Sequence, residues 1–427
     1  MTTKINNEHK KVYVPNSTDR GKVIRNVPHL RFPEFEGEWE KCPLGKISTK
    51  ITKKNKGNTI QNVLCNSATL GLIPQNDYFD REIANSNNTE GYYVIEYGDF
   101  VYNPRKSVSA PYGPVNIYTG SIKGIISPLY LCFSVHSIMP SFLYYRFKSS
   151  VWFPYVYSHG DTGTRFDRVS IKDDVFFEMP IYMPSSKEQI KIANLMALLD
   201  ERIATQNKII DKLQSLIKGM EDNLLDNPLW KKTYLRSFMQ FFPTNSLSWE
   251  QLSYKEGAIR NLHYGLIHGF QTRGINSASL PMIKNEAIPK QYTLCQVGDV
   301  AFADASEDTG EIAKSVEFVD TIEGDTICGL HTIHGRDIKN ETVVGFKGFA
   351  FNSRYFHNQI KRLAQGTKVF SITANNLSSC YVYLPDLETQ KAIVKLLKAY
   401  EAQLIVSRKT LKQYENQKQY LLRQMFI

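Results

Sequence analysis

A long-range internal repeat constrains this chain of 427 residues more than any other feature of its sequence. Residues 181–184 (IYMP) match residues 382–385 (VYLP), and the register then holds without a gap as far as Asp226 over Ile427. Few residues are identical in the two copies; Gln189 and Gln390 are one such pair. The positions of the hydrophobic residues are more similar between the copies than the residue identities are. Self-similarity at a fixed offset indicates that the chain folds from two copies of one structural unit.

Each copy of the repeat ends in a segment with the spacing of a long α-helix. Ser185 and Asp386 are residue types that cap a first helical turn. Apolar residues then recur at alternating steps of three and four over about four heptads. The first seam is Met196, Leu199, Ile203, Gln206, Ile210, Leu213, Ile217, Met220 and Leu224, and the second is Leu397, Tyr400, Leu404, Ser407, Leu411, Tyr414, Lys418, Leu421 and Met425. The matching polar positions, Gln206 and Ser407, favour an antiparallel coiled coil of the two helices over two separately packed helices.

The blocks before the two helices read as mixed α/β domains, because short β-branched and aromatic runs alternate with Gly, Pro and Asn. Both blocks carry a Gly-Asp pair after a strand-like run and a late glycine loop, and Trp39-Glu40 of the first block is matched to Trp249-Glu250 of the second. The fold class predicted is α/β (mixed), with two globular domains separated by two long helices. The predicted segments are a flexible N-terminal arm at 1–26, a first domain at 27–184, a central helix at 185–228, a second domain at 229–384 and a C-terminal helix at 385–427.

Charge and cysteine content narrow the partners and the compartment. The net charge of +10 permits an anionic partner, but the excess lies in segments 1–26 and 386–427, while both large blocks are close to neutral. The six cysteines are far apart and form no CxxC pair, which favours free buried thiols over a disulfide framework or a zinc knuckle. Because no apolar run reaches the length of about 18 residues that a membrane span needs, we expect a cytoplasmic protein with no membrane partner.

Motifs that would indicate catalysis are missing or broken. The sequence contains neither a P-loop nor a GxGxxG fingerprint. Asn103-Pro104 begins like the base-holding motif of amino-methyltransferases, but Arg105 breaks it, and Pro385-Asp386 lacks the spacing of a nuclease motif. His331 and His334 could offer two imidazoles to a metal, yet the sequence indicates no third ligand. We therefore predict no catalytic residue, metal site or cofactor in this chain, and a binding protein with two recognition domains.

Residues 28–35 (PHLRFPEF), followed by Trp39 and by residues 44–47 (LGKI), resemble the N-terminal signature of type I restriction–modification specificity subunits. A Met-Pro or Leu-Pro pair followed by a glutamine and a heptad helix, present twice, is similar to the central and distal conserved regions of that family. The resemblance spans residues 27–427. The sequence departs from the family pattern in two places. It has an additional N-terminal arm, and the opening motif of the second block has residues 257–259 (GAI) where the first block has residues 45–47 (GKI).

The resemblance implies a non-catalytic DNA sequence-specificity subunit of a larger restriction endonuclease and adenine-N6 methyltransferase complex. Each block would be a target recognition domain reading one half of a bipartite site in double-stranded DNA. The helices would set the spacer and dock two methylation subunits; SAM, ATP and Mg²⁺ would be held by those and by the restriction subunits. A helix of about 40 residues is about 60 Å long, more than one DNA turn of about 34 Å. The alternatives are a non-DNA adaptor with two ligand-binding domains on a coiled-coil scaffold, and a single-chain enzyme.

Polar loop residues are the predicted DNA contacts, because Arg or Lys can pair with guanine, Asn or Gln with adenine, and Asp or Glu with cytosine. In the first block these residues are Asn103, Arg105, Lys106, Ser158, Thr162, Thr164 and Arg165. In the second block they are Gln271, Arg273, Asp304, Glu307, Thr367 and Lys368. Arg165 and Lys368 hold matching places in the two glycine loops, so they are expected to touch bases or phosphates. For each of these residues the alternative is an ordinary solvated loop side chain.

Overall fold

The computed structural model describes residues 26–77, 89–160, 167–270, 273–320, 322 and 324–427. The chain divides into two compact units. The first unit comprises Met1–Thr205 and Lys412–Ile427, and the second comprises Gln206–Leu411. Both divisions fall inside a long helix, so each unit contains a mixed α/β domain together with a part of each long helix.

The first unit is built on two four-stranded sheets. Its strands are β1 (Glu40–Pro43), β2 (Ser48–Lys50), β3 (Val63–Ser67), β4 (Gly71–Pro74), β5 (Tyr93–Ile95), β6 (Phe100–Tyr102), β7 (Val115–Ile117), β8 (Gly124–Ile126), β9 (Leu131–Val135) and β10 (Pro180–Met183). Its helices are α1 (Pro140–Lys148), α2 (Phe153–His159), α3 (Asp173–Phe177) and the long helix α4 (Ser186–Leu224), which continues into the second unit. The sheet orders are β2-β9-β6-β7 and β4-β3-β8-β5, and β1 pairs with β10.

The second unit repeats this topology with additional strands. Its strands are β11 (Lys231–Tyr234), β12 (Met239–Phe242), β13 (Leu252–Ser253), β14 (Arg260–Leu262), β15 (Gly274–Ile275), β16 (Met282–Ile283), β17 (Val300–Ala303), β18 (Ala305–Ser306), β19 (Ser315–Phe318), β20 (Thr326–Cys328), β21 (Thr332–Asp337), β22 (Phe370–Ser371) and β23 (Tyr381–Leu384). Its helices are α5 (Tyr264–Gly269), α6 (Phe346–Ala350), α7 (Arg354–Leu363), α8 (Ala374–Ser379) and the long helix α9 (Leu387–Gln424). The order β12-β21-β17-β19-β15 contains the order of the first unit, and β14 pairs parallel with β20 as β3 pairs with β8.

The match of Trp39 with Trp249 at the openings of the two blocks is wrong. Strand β1 begins directly after Trp39 and pairs antiparallel with β10, and β11 begins directly after Trp230 and pairs antiparallel with β23. The residue after each strand donates its backbone N–H to the segment before the last strand: Leu44 to Met179 O at 2.8 Å, and Leu235 to Cys380 O at 2.9 Å. Trp230 is therefore the counterpart of Trp39. Trp249 lies in a later 3-10 helix and is 46% exposed.

The predicted correspondence of the two Gly-Asp pairs is confirmed, because both pairs form the same turn. Gly98 and Gly298 adopt φ angles of +91° and +90°, a left-handed conformation that favours glycine. Both donate their N–H to the neighbouring strand, to Tyr118 O at 2.9 Å and to Phe318 O at 2.7 Å. The aspartate that follows accepts a backbone N–H with its carboxylate in each case. The turn sets where β6 and β17 begin, and hence where the loops after those strands lie.

Both long helices begin where the sequence predicts. Ser185 Oγ accepts from the backbone N–H of Glu188 at 3.4 Å, and Asp386 Oδ1 accepts from that of Thr389 at 2.9 Å. The capping box predicted by Ser185 and Glu188 is only half formed, because the Glu188 carboxylate is taken by Arg31 at 2.8 Å. Backbone N–H groups at a helix start lack intrahelical partners, and these side chains satisfy some of them.

Within each unit the two long helices pack antiparallel, as the heptad pattern predicts. In the first unit Met196, early in α4, shares a core with Met425 at the end of α9. In the second unit Ile217, late in α4, clusters with Leu404 from the first half of α9. The polar interruption is also matched, since Gln206 Nε2 donates to the backbone oxygen of Ser407 at 3.1 Å. Lys418, which has no apolar role in the seam, forms an ion pair with Asp200.

The glutamine shared by the two copies of the repeat ties each long helix to its own domain. Gln189 Oε1 accepts from the N–H of Met139 at 2.9 Å, and Gln390 Oε1 accepts from the N–H of Val343 at 3.0 Å. Both amides also donate to the carbonyl of the proline that precedes the helix, at 2.9 and 3.0 Å. Both side chains are buried, and a buried polar group is stable only when it is hydrogen-bonded.

Each unit has its own apolar core. The first is rich in aromatic rings, with Phe100 stacked on Phe133 at 5.3 Å between ring centroids. The second joins residues of β17, α6 and α7 to the start of α9. Of the helices in the described part of the chain, none is long and apolar enough to cross a membrane.

Candidate nucleic-acid interface

A polar rim in the first unit is formed by residues 103–106 together with residues 167–169. The first segment follows β6 and pairs with the second: Lys106 N–H donates to Asp167 O, and Val169 N–H to Pro104 O, both at 2.8 Å. Arg105 and Arg168 face each other across this pairing. The ion pair between Arg105 and Asp167 is long, at 4.0 Å, and both side chains are more than half exposed. The first rim therefore presents cationic groups to solvent.

Three predicted contact residues, Asn103, Arg105 and Lys106, lie together on the first rim. They line a groove of about 410 Å³ with Asn66, Tyr130 and other residues. Asn103 Oδ1 accepts from the backbone N–H of Arg105 at 3.0 Å, so its amide is held in place. Arg168 was missed in the sequence because only the long-range backbone pairing brings it next to Arg105.

A buried network supports the floor of this groove. Asn66 receives a hydrogen bond from Asn116 at 2.6 Å, and Asn116 receives one from Lys148 Nζ at 2.6 Å. Burial, with a smaller effect of the nearby Lys418, lowers the pKa of Lys148 to about 8. The network joins β3, β7 and the end of α1 below the rim.

Ser158, another predicted residue of the first block, lies in the last turn of helix α2. Its Oγ donates to the helix carbonyls of Pro154 and Tyr155 at 2.9 and 3.1 Å. Thr162, Thr164 and Arg165 lie outside the described residues.

A second polar rim, formed by residues 304–307 and 366–371, occupies the equivalent place in the second unit. Strands β18 and β22 pair there, with Ala305 opposite Ser371, and Ile372 N–H donates to Asp304 O at 3.0 Å. The structure thus brings four predicted residues to one rim, namely Asp304, Glu307, Thr367 and Lys368. The last three of these are exposed.

A tight turn presents Thr367 and Lys368. Gly366 has a φ angle of +132°, and a Cβ atom there would lie 2.0 Å from the carbonyl oxygen of Val369. Only glycine fits such a close backbone approach. The glycine of the predicted loop is therefore required by the turn that carries these two side chains.

Aromatic and imidazole side chains beside the second rim were not predicted. His331 Nδ1 lies 3.0 Å from Asp304 Oδ1, and its ring contacts Tyr264 edge-on at 5.3 Å. Tyr264 adjoins His263, which packs against Trp249 at 4.5 Å. Exposed aromatic faces can stack on nucleic-acid bases. These residues are spread between positions 249 and 331, so no local sequence pattern predicts the cluster.

The other two predicted residues of the second block, Arg273 and Gln271, are not among the residues of the second rim that the structure describes. Arg273 lies against the long helices, where its guanidinium is 3.8 Å from the Glu221 carboxylate and its backbone N–H donates to Glu401 Oε1 at 3.3 Å. Burial raises the pKa of Glu221 to about 7, although Arg273 opposes that shift. Gln271 lies outside the described residues.

His331 and His334 do not form the imidazole pair that their spacing suggested. His331 is half exposed and contacts Asp304, whereas His334 is buried and its Nε2 lies 2.7 Å from Asp299 Oδ2. Burial alone would raise the pKa of Asp299, but hydrogen bonds from Arg336 and His334 hold it below its ordinary value. The equivalent Asp99 of the first unit has a pKa raised by burial to about 6.

The opening motif of the chain packs on the long helices inside the first unit. Arg31 forms two hydrogen bonds with Glu188, and Trp39 Nε1 donates to the same carboxylate at 3.3 Å. Leu30 N–H donates to Gln424 O at 2.9 Å, and Lys191 lies 4.5 Å from the ring centre of Phe32. The motif thus joins the start of α4 to the end of α9.

Comparisons with known proteins agree with this architecture. Residues 329–416 match the family described as type I restriction modification DNA specificity domain. A chain of Methanocaldococcus jannaschii assigned as the MjaX specificity subunit of a type I restriction enzyme is 25% identical over 349 residues, which is 77% of this chain and 78% of the relative. The MjaVIII specificity subunit of the same organism is 26% identical over 278 residues, 61% of this chain and 64% of that subunit.

Solved structures share the fold. One is a chain from a study of complex assembly and conformational transition in the type I R-M system, with a TM-score of 0.56 and 13% identity over 90% of this chain and 96% of that chain. Another is the S subunit of a type I restriction–modification system from M. genitalium, with a TM-score of 0.55 and 15% identity over 94% of this chain and 99% of that one. The chain thus shares its fold with these solved structures, and one segment of it matches the type I restriction modification DNA specificity domain.

Proposed function

We propose that this chain is the DNA sequence-specificity subunit of a type I restriction–modification complex. The observation that carries the proposal is one α/β topology built twice, with a polar rim after the same strand in each copy. The specificity domain matched at residues 329–416 and the curated specificity subunits support it.

Each rim reads one half of a bipartite site in double-stranded DNA. The first rim offers the cations Arg105, Lys106 and Arg168, which suit guanine edges and phosphates. The second offers the carboxylates Asp304 and Glu307, which can accept from cytosine N4, beside Lys368. Because the two rims differ in charge and hydrogen-bonding groups, the two half-sites differ in sequence.

The paired helices set the spacer between the half-sites and dock two methylation subunits. The 39 residues of α4 and the 38 residues of α9 each correspond to about 57–59 Å at 1.5 Å per residue. Exposed apolar side chains on them, including Ile190, Leu198, Ile405 and Val406, offer contact area to partner subunits.

The chemistry resides in the partners. The methylation subunits hold SAM and methylate adenine, and restriction subunits use ATP and Mg²⁺ for translocation and cleavage. This chain recognises DNA and performs no turnover of its own. Such a function places it with the DNA in the cytoplasm. The near-neutral domains imply that the chain alone binds DNA weakly and that its partners add phosphate contacts.

Coexpression with the methylation subunits of its host tests the proposal. Single-molecule sequencing of the methylated genome should show adenine methylation at one bipartite motif, which disappears when this chain is omitted. The purified chain alone should show no nuclease, ATPase or methyltransferase activity. Methylation that persists without this chain, or turnover by the chain alone, would contradict the proposal.

A further inference from the structure

Two cysteines and a histidine that are far apart in sequence meet in the core of the second unit. Cys295, Cys328 and His334 each offer a ligand atom, and these atoms lie within 4.8 Å of one another. The side chains are 7%, 3% and 1% exposed. The two sulfurs are 3.6 Å apart, well beyond the disulfide bond length of about 2.05 Å. Two sulfurs bound to one tetrahedral zinc at about 2.3 Å each would be about 3.8 Å apart.

The backbone fixes this meeting point. Cys295 stands directly before the turn that ends at Asp299, and its N–H donates to Thr326 O at 2.8 Å. Cys328 ends β20, and His334 lies in β21 opposite Ala301 of β17. The three residues are therefore positioned by paired strands and a turn, so a bound ion would find a rigid set of ligands.

The surroundings of His334 are those of a metal ligand. Asp299 Oδ2 lies 2.7 Å from His334 Nε2. In the tautomer with the proton on Nε2, this carboxylate accepts that N–H and the lone pair of Nδ1 is left for a metal. Arg336 holds the same carboxylate through two hydrogen bonds, of 2.8 and 2.7 Å. Histidines that bind metals usually donate their other ring N–H to a carboxylate in this way.

The same place in the first unit has only one side chain that could bind a metal. Strand register identifies Cys132 as the counterpart of His334, because Cys132 pairs with Val101 and His334 with Ala301. Ile95 corresponds to Cys295 in the repeated turn, and Ile126 corresponds to Cys328, since Val94 pairs with Ile125 as Leu294 does with Ile327. Ile95, Ile126 and Cys132 belong to one fully buried apolar cluster. The second unit has thiols in place of the two isoleucines and an imidazole in place of the single thiol, so three ligands meet where the first unit has one.

We propose that Cys295, Cys328 and His334 form a structural binding site for a thiophilic divalent cation, Zn²⁺ in the cell. Two thiolates and one imidazole match the ligands and the softness that zinc prefers, and a water can complete the tetrahedron. Because the site lies in the core, the ion stabilises the second unit and takes no part in turnover. Metal binding at this site is independent of DNA recognition.

Metal analysis of the full chain tests the site. After chelation and gel filtration, the protein is incubated with Zn²⁺ or Co²⁺ and filtered again. We expect one ion per chain, thiolate-to-Co²⁺ charge-transfer bands, and a higher Tm with Zn²⁺, since ligand binding to the native state stabilises it. Cys380→Ser is the matched control, because Cys380 is equally buried but lies in a different cluster of the same unit. It should bind one ion as well.

The double variant Cys295→Ile, Cys328→Ile installs the apolar residues of the first unit. It should unfold cooperatively without metal and bind no ion, whereas metal-free wild type should gain stability only on adding Zn²⁺. The single variants Cys295→Ala and Cys328→Ala, each with one thiolate left, should bind Zn²⁺ at least about tenfold more weakly. Wild type that binds no ion, or variants that bind Zn²⁺ as wild type does, would overturn the site.

Oxidation separates a metal site from a redox pair. With diamide, the metal-free chain should form a Cys295–Cys328 disulfide that peptide mapping detects, and one equivalent of Zn²⁺ should prevent it. Equal disulfide formation with and without Zn²⁺ would mean that these thiols form a redox pair and that the zinc assignment is wrong.

Discussion

Single buried side chains hold each long helix to its domain, and the clearest are Gln189 and Gln390. Each amide satisfies a backbone N–H before a domain helix and a proline carbonyl before the long helix. The identity of these two residues across the repeat was visible in the sequence, but its cause was not. The hydrogen-bond partners of each amide include a backbone N–H at Met139 or Val343, which only the tertiary structure brings close to the glutamine.

Replacing Gln390 with alanine should destabilise the second unit. The change leaves buried backbone groups without partners, so we expect a loss of about 2 kcal/mol in the free energy of unfolding. Chemical denaturation followed by circular dichroism measures it. Gln214→Ala, an exposed glutamine of α4, is the matched control and should change stability by less than about 0.5 kcal/mol. Equal effects of both substitutions would contradict the anchoring role.

Asp99 gives the first unit a pH dependence of known sign. Burial raises its pKa from 3.8 to about 6, so the native state holds this proton more tightly than the unfolded state. The stability it contributes is present below about pH 4 and is lost as the pH rises through about 6. Asp99→Asn keeps an oxygen for the Glu96 N–H and removes the titration. The Tm of wild type minus that of Asp99→Asn should therefore fall between pH 4 and 7.

The exposed Asp211 provides the comparison for that measurement. The Tm difference between wild type and Asp211→Asn should stay level over the same pH range. A difference for Asp99→Asn that is constant or rises with pH would show that its carboxyl is not protonated preferentially in the folded state.

The rim cations Arg105 and Lys368 should contribute to DNA binding by the chain in complex with its methylation subunits. If Arg105→Ala or Lys368→Ala removes a base contact, affinity falls by about 1–3 kcal/mol and specificity relaxes at one position. If it removes a phosphate contact, affinity falls uniformly and the salt slope drops by about one unit. Lys212→Ala, an exposed lysine of α4, is the control. Unchanged affinity and salt slope for both rim variants would remove these residues from the interface.

At the scale of elements, the long helices were predictable and the strands were not. A period of 3.5 residues sustained over four heptads specifies a helix and its buried face locally. The strands of two to six residues carry too little periodicity, and their pairing joins residues such as Ser48 and Val135. This is why Trp249 was matched to Trp39, although the strand register identifies Trp230.

The candidate interface likewise combines residues with a local sequence signal and residues that only the fold brings together. Asn103, Arg105, Asp304 and Lys368 were predictable because each follows a local signal, a Gly-Asp strand or a glycine turn. Arg168 and the cluster of Tyr264 and His331 were not, because only long-range pairing brings them to the rims. Arg273 shows the converse: a loop arginine with an unremarkable sequence context pairs with Glu221 of a long helix.

Lengthening both long helices tests whether they set the spacer. One heptad inserted between Gln206 and Asn207 and another between Val406 and Ser407 adds about 10 Å to each helix and keeps the seam in register. The gap in the methylated motif should grow by about three base pairs at 3.4 Å each, with both half-sites unchanged. Three-residue insertions at the same places rotate the seam and should abolish methylation. An unchanged gap with full activity would contradict the spacer role.

For the molecule as a whole, duplication would let one chain recognise an asymmetric site, as the proposed function requires. The two units share strand order, turns and helix anchors but differ where the rims present their side chains: Arg105 and Lys106 in the first, Asp304 and Glu307 in the second. A symmetric dimer would present the same groups twice and read a palindrome. Two diverged copies in one chain can read two different half-sites.

Exchange of one domain tests whether each unit reads its own half-site. Residues 229–384 are replaced by the corresponding block of a related specificity subunit, the variant is coexpressed with the methylation subunits, and the methylated motif is read by genome-wide sequencing of modified adenines. We expect that one half of the motif changes while the other half is retained. Simultaneous change of both halves, or retention of the original motif, would contradict the assignment of one half-site to each unit.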